Sequence, residues 1–255
     1  MKISIITITY NRANLIGETI ESVLNQTYQN FEHIIIDDGS TDNTEEVVKG
    51  YNDERILYFN YQKTSNLSTL RNYGLKHSSG DIISILDSDD LWLNNKLELI
   101  INIFKKNNEI KVITHNIKYF KNINSPKKEY YNYESDFFKN ILYEAMMFKI
   151  LPFPIIIFKK EILNEITFLN NFYKEGLQDF LFRVAANYKV YFIAKPLTLM
   201  RLHNGNTHSN IKNIPYYSNY FFSTTKLLLN RKINLNLFIN GNYLNLKNLI
   251  KYLIK

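Results

Sequence analysis

The chain has 255 residues, 45% of them hydrophobic, enough for one full core with an appendage, and it carries a formal net charge of +7. It contains no cysteine, which excludes disulfides and thiolate metal sites and points to a reducing compartment. No apolar run approaches the ~18 residues of a membrane span, and the start of the chain passes directly into a strand pattern without a signal-peptide layout, so a cytoplasmic protein is expected.

Residues 2–9 read as a strand, and over 13–26 Leu15, Ile16, Ile20, Val23 and Leu24 fall near one helical face. A second strand is expected over 31–36, ending at Asp37-Asp38-Gly39-Ser40. Asp42-Asn43-Thr44-Glu45 then has the spacing of a capping box at a helix start. A strand follows over 55–60, a helix over 67–77 and a strand over 81–86. Helix and strand return at 94–106 and 111–120, while 121–135 is polar and reads as a loop. Pro152-Phe153-Pro154 precedes a short strand at 155–158. A helix is then expected over 175–187, and two strands over 190–193 and 197–202. From Ile211 the pattern is helical, with a break at Asn240-Gly241-Asn242, so a main domain (1–210) is separated from a C-terminal extension (211–255). Strand–helix alternation with short connections argues for an α/β fold. The sheet would be doubly wound and mainly parallel, with ligands at the carboxyl ends of its strands.

Two acidic clusters fall at such ends. The apolar run Ile82-Ile83-Ser84-Ile85-Leu86 has the continuous hydrophobicity of a strand buried on both faces, and it stops at Asp87-Ser88-Asp89-Asp90. Carboxylates so crowded repel one another unless a cation sits among them, and hard oxygen donors favour Mg²⁺ or Mn²⁺. An Asp-rich helix start is the competing reading of the same residues. None of the eight glycines has the spacing of a Gly-x-Gly-x-x-Gly turn, and there is no Gly-Lys-Ser/Thr loop. Phosphates would therefore be neutralised at the carboxylates by a metal ion, not cradled by a glycine-rich loop.

Several segments recur in a meaningful order: Ser4-Ile5-Ile6-Thr7-Ile8-Thr9-Tyr10-Asn11-Arg12, Ser22-Val23-Leu24-Asn25-Gln26-Thr27-Tyr28, Ile36-Asp37-Asp38-Gly39-Ser40-Thr41-Asp42, Arg71-Asn72-Tyr73-Gly74-Leu75, Leu86-Asp87-Ser88-Asp89-Asp90, Gln178-Asp179 and Arg201-Leu202-His203-Asn204. Together, over residues 1–209, they resemble the inverting, nucleotide-sugar-dependent glycosyltransferases of family 2, which have the GT-A fold and serve bacterial polysaccharide, lipopolysaccharide or capsule assembly. The resemblance implies a nucleotide pocket of Thr9, Tyr10, Asp38 and Arg71. It also implies that Asp87 and Asp90 contact the sugar nucleotide, and that Asp89 of the Asp-x-Asp element ligates Mn²⁺ or Mg²⁺. His203 would be a further metal or phosphate contact. A tyrosine ring can stack on a base and a carboxylate can accept from a uracil imide, although Tyr10 also suits core packing and Asp38 suits a turn before glycine.

Inverting transfer needs one general base. By the resemblance this is Asp179; a first-turn helix aspartate favoured by the helix dipole is the alternative. The family usually has Glu before that aspartate, where this chain has Gln178, and proline where it has Ile8. The expected partners are a nucleotide-sugar donor, in the UDP form by analogy with the family, and a glycan or lipid-linked glycan acceptor.

The charge is uneven. The last acidic residue is Asp179, and Lys212, Lys226, Arg231, Lys232, Lys247, Lys251 and Lys255 carry the whole excess. Lys247, Lys251 and Lys255 recur every four residues beside apolar positions. That pattern suits either an anionic membrane interface or packing on the main domain. Nucleic acid is not expected as a partner, since no recognised binding motif accompanies the charge. Two rival functions remain at this level. One is a sugar-nucleotide-binding module without catalysis; the other is a sugar-1-phosphate nucleotidyltransferase, which would want a glycine-rich N-terminal phosphate loop.

Overall fold

The computed structural model describes residues 1–121, 128–147, 155–168, 176–202 and 214–253, with the side chains of the last stretch described over 220–247. In chain order the first elements are β1 (Ile3–Thr9), α1 (Ile16–Leu24), β2 (Phe31–Asp37), α2 (Thr44–Lys49), β3 (Ile56–Asn60), α3 (Leu67–His77) and β4 (Ile82–Asp87). Next come β5 (Leu91–Trp92), α4 (Lys96–Lys106), β6 (Val112–Phe120), β7 (Lys128–Glu129), β8 (Phe137–Lys139), α5 (Leu142–Met146) and β9 (Ile157–Lys159). A 3-10 turn (Lys160–Asn164), α6 (Leu177–Asn187), β10 (Val190–Arg201), α7 (Ile214–Leu229) and α8 (Leu235–Leu253) complete the described elements.

The sheet runs β3-β2-β1-β4-β9-β6-β10-β5, with β7 on β6 and β8 on β10. Strands β1 to β4 pair in parallel, as do β6 and β10, whereas β9 lies antiparallel to both β4 and β6. The sheet is mixed and mainly parallel, as the alternation predicts. Ile3, Ile5, Ile6, Ile34, Ile35, Ile36, Ile82 and Ile83 are fully buried, because helices cover both faces of these central strands. Register brings the strand ends together: Thr9 of β1 lies opposite Asp37 of β2, and Ile8 opposite Asp87 of β4. Both acidic clusters therefore occupy one edge of the sheet.

Three expectations need correction. Residues 190–202 do not form two strands: β10 is continuous, and Pro196 is absorbed at register shifts between Ile193 and Thr198, the irregular position where a strand tolerates proline. The tail does not break at Asn240-Gly241-Asn242. Helix α8 runs through it, and the turn between α7 and α8 falls earlier, where Arg231 adopts φ 54°. Gly241 is needed for close approach, since a Cβ there would collide with the Tyr220 hydroxyl. The polar stretch 121–135 contains the short strand β7, and its residues 122–127 lie outside the described ones.

The start of the sheet is pinned by a buried carboxylate. Glu32 accepts from Lys2 Nζ, Ser4 Oγ, Ser79 N and Ser79 Oγ, each at 2.6 Å. Burial alone would raise its pKa, but these donors outweigh burial and hold it at about 2, below the ordinary 4.5. A depressed carboxylate contributes stability above its unfolded pKa and loses it as pH falls through the folded one. Thermal stability should therefore fall as pH drops from 4.5 to about 2. Glu32→Gln should be less stable at neutral pH and flatter over that window; an unchanged slope would remove Glu32 as the cause.

Candidate functional site

The loops after β1 and β2 are zipped together. Asp38 N donates to Thr9 O at 2.9 Å, Asn11 N to Ser40 Oγ at 2.8 Å, Thr41 N to Asn11 Oδ1 at 2.8 Å and Arg12 N to Thr44 Oγ1 at 2.9 Å. Asn11 turns the chain with φ 50°, a conformation asparagine tolerates. Gly39, at φ 71°, lets the second loop turn as well. Asp37 is committed to this frame, accepting from Ser40 N at 2.8 Å and Tyr58 OH at 2.6 Å.

The four pocket candidates differ in their surroundings. Thr9 is buried and its hydroxyl has no hydrogen-bond partner among the described residues. Tyr10 is 43% exposed, which answers the core-packing alternative, and Lys63 Nζ lies 3.0 Å from its ring centroid. Asp38 is buried and accepts from Lys63 Nζ at 2.8 Å, Thr64 N at 2.8 Å and Ser65 N at 3.0 Å, so the loop after β3 closes over it. Arg71 is buried on α3 with its guanidinium 5.6 Å from the Phe168 ring.

Asp87, Asp89 and Asp90 each offer an oxygen within 4.8 Å of the others. Asp87 is exposed, Asp89 half-buried and Asp90 buried. Strand β5 leaves this turn to pair with Thr198 and Leu199 of β10. The end of β10 returns to the turn: Arg201 N donates to Asp90 Oδ1 at 2.9 Å, Arg201 Nε to Asp89 O at 3.0 Å and Arg201 Nη2 to Glu18 Oε2 at 2.6 Å. Arg12 Nη2 stands 3.6 Å from Asp89 Oδ2. Burial, then the charges of Asp87 and Asp89, push the Asp90 carboxyl well above the usual carboxylate range. Such an all-oxygen cluster, with its charges in mutual repulsion, fits a hard divalent cation.

Beside the cluster lies a buried lysine that sequence reasoning missed. Lys96 is 0% exposed, donates from Nζ to Thr198 Oγ1 at 3.1 Å and lies 3.9 Å from the Trp92 ring. Burial lowers its pKa and Asp90 opposes that shift. Its signal was legible: Lys96 shares a helical face with Ile100 and Phe104, a position for an apolar residue. His33 and His115 are core residues. Burial holds His33 down at about 3, so it is neutral, and His33 Nε2 is bonded to Thr7 Oγ1 at 2.9 Å. His203 and His208 lie outside the described residues.

Asp179 lies in the first turn of α6 and is 3% exposed. Both its oxygens are engaged: Arg183 Nε donates to Oδ2 at 2.7 Å, and Ser223 Oγ donates to Oδ1 at 2.8 Å. Arg183 also donates to Thr167 O at 2.6 Å, and Phe168 stacks on Phe180 with centroids 4.2 Å apart. Since Phe168 is the ring beneath Arg71, and its carbonyl accepts from Asn72 Nδ2 at 2.8 Å, α3 and α6 share one support. Gln178 is buried, and neither of its side-chain polar atoms has a hydrogen-bond partner among the described residues.

Residues 4–167 match the sequence profile of the family described as Glycosyl transferase family 2. An uncharacterized glycosyltransferase of Rickettsia felis is 32% identical over 95% of this chain and 42% of its own length. The Escherichia coli protein WfgD, named UDP-Glc:alpha-D-GlcNAc-diphosphoundecaprenol beta-1,3-glucosyltransferase, is 43% identical over 42% of each chain. The chain spans less than half the length of the curated relatives it matches. Among solved structures, Staphylococcus aureus TarS 1-349 in complex with UDP-GlcNAc superposes with TM-score 0.74 at 21% identity, over 89% of this chain and 67% of that one. The mannosyltransferase PcManGT of Pyrobaculum calidifontis, in complex with GDP-Man and Mn²⁺, gives TM-score 0.66 at 18% identity, over 99% of this chain and 73% of that one.

Proposed function

The chain belongs to glycosyl transferase family 2 with the GT-A fold, and we propose that it is an inverting transferase. It moves a sugar from a nucleoside diphosphate, in the UDP form, to a hydroxyl of a glycan or lipid-linked glycan. The observation that carries this reading is the convergence of the β1, β2 and β4 ends, which brings the loops after β1 and β2 beside three carboxylates. WfgD, by its name, takes UDP-Glc and a diphosphoundecaprenol-linked sugar, which supports the choice of donor and acceptor class.

In this reading Thr9, Tyr10, Asp38 and Arg71 receive the nucleoside, with Asp38 exchanging its contacts to residues 63–65 for the base. Asp87 and Asp90 face the sugar nucleotide, while Asp89 and His203 hold Mn²⁺ or Mg²⁺. A bound divalent cation supplies neutralisation of the departing diphosphate. Asp179 takes the proton of the acceptor hydroxyl as its oxygen bonds to the anomeric carbon; the anomeric carbon–diphosphate bond breaks, and the configuration inverts. Arg12, close to Asp89, adds positive charge where the diphosphate leaves. Residues 1–210 form the catalytic domain. A screen of nucleotide sugars for Mn²⁺-dependent release of nucleoside diphosphate tests the reading; no release from any donor would overturn it.

The C-terminal extension supports a peripheral place on an anionic membrane face. Leu235, Ile239, Tyr243 and Leu246 form an exposed stripe on α8, Phe221, Phe222 and Leu229 are exposed on α7, and Lys226, Arg231, Lys232 and Lys247 are exposed near them. Among the described residues no helix is long and apolar enough to cross a membrane. Each lysine near an anionic surface contributes about 1 kcal/mol, and salt screens it. Anionic vesicles should therefore sediment the protein at low salt, neutral vesicles should not, and Ile239→Asn with Leu246→Asn should abolish the effect. Indifference to anionic vesicles at low salt would leave the stripe without a membrane role.

A further inference from the structure

We infer that Ser223, on the C-terminal extension, is a positioning residue for Asp179, so that α7 completes the catalytic site. The inference deepens the reading of Asp179 as general base and rests on it. Three observations carry it. Ser223 is 3% exposed and donates its hydroxyl to Asp179 Oδ1 at 2.8 Å, across 44 residues of sequence. Arg183, one turn along α6, occupies the other oxygen at 2.7 Å, so the carboxylate is held at two points and its plane is fixed. Helix α7 is itself seated firmly: Tyr220 is fully buried, its hydroxyl donates to Met146 O at 2.6 Å, and Gly241 lets α8 close over it.

A carboxylate oxygen accepts two hydrogen bonds, so each oxygen of Asp179 retains a lone pair after these donors are counted. The two supports therefore leave acceptor capacity on Asp179 for a hydroxyl that reaches it. Without Ser223 the side chain keeps, among the described residues, only the Arg183 anchor on its own helix, and rotation about its terminal torsion, which is intrinsically broad, would spread the proton acceptor over several directions.

The test compares Ser223→Ala, Ser223→Thr, Tyr220→Phe and Asp179→Asn in the full chain. The reaction is Mn²⁺-dependent turnover of whichever of UDP-glucose, UDP-N-acetylglucosamine and GDP-mannose the wild type uses fastest. Ser223→Ala should lower kcat about tenfold, the scale of a hydrogen bond to a charged group, with donor KM unchanged. Ser223→Thr, which keeps the hydroxyl, should recover most of that loss. Tyr220→Phe, which loosens α7 without touching Asp179, should lower the melting temperature and leave kcat near wild type. Wild-type kcat in Ser223→Ala, or an equal kcat loss in Tyr220→Phe, would overturn the positioning role alone. Turnover retained by Asp179→Asn would overturn the base assignment and the inference with it.

Discussion

Asp179→Asn should abolish sugar transfer while leaving nucleotide binding nearly intact. The substitution is almost isosteric and keeps an oxygen for Ser223 or Arg183, but it removes the group that accepts the acceptor's proton. A positioned general base is worth about 10²–10⁴ in rate. The expected result is therefore a kcat lower by two to four decades with UDP affinity within a factor of a few, measured by coupled UDP release and by calorimetry. The site makes this variant more than a charge deletion, because Asn would present one amide group to two donors, Arg183 Nε and Ser223 Oγ. Its thermal stability must accordingly be measured beside its rate. A stable variant with wild-type turnover would identify Asp179 as an anchor joining α7 to α6 and would move the general base to another residue.

The first half of the fold was legible because its signals are local. Ile-rich runs over β1, β2 and β4 are buried on both faces, the pattern expected of a mainly parallel sheet covered by helices. Their carboxyl ends were then the place to look for Asp38 and Asp87-Ser88-Asp89-Asp90. The register that sets Thr9 against Asp37 and Ile8 against Asp87 is long-range, and nothing in either strand alone announces it. Pro196 read as a boundary because proline normally ends a central strand, whereas a bulge in β10 absorbs it. Gly241 read as a breaker because the helix that needs its missing Cβ is α7, distant in sequence. The short elements β8 and α5 give too few turns or alternations to show a period.

The same division holds at the site. Residue types marked the acidic cluster, but its supports come from other elements: Arg201 from β10 and Glu18 from α1 are distant in sequence, and Lys96 returns from α4. Ser223 is the extreme case. It lies in a stretch whose only sequence signal was charge and apolar periodicity, and its role depends on where α7 lands.

Asp89→Ala should remove the divalent-metal dependence of UDP binding. Among the three clustered carboxylates, Asp90 is buried, accepts from Arg201 N and faces Lys96, which limits its freedom to turn toward a cation. Asp87 is exposed at the end of β4, and Asp89 is half-buried with Arg12 3.6 Å away. Asp89 thus combines partial desolvation with a neighbouring guanidinium that can meet a diphosphate. Metal charge stabilisation of a phosphoryl group is worth several kcal/mol, so with each 1.4 kcal/mol a factor of ten, UDP affinity in Mn²⁺ should fall by about two to three decades. In the variant Arg12 is freed from its carboxylate partner and can meet the diphosphate directly. Residual binding should therefore persist but no longer respond to Mn²⁺ or chelator. Calorimetric titration of UDP with Mn²⁺ and with EDTA, for wild type and Asp89→Ala, measures both affinities, and the same Mn²⁺-dependent gain in the two proteins would move the metal-ligand assignment away from Asp89.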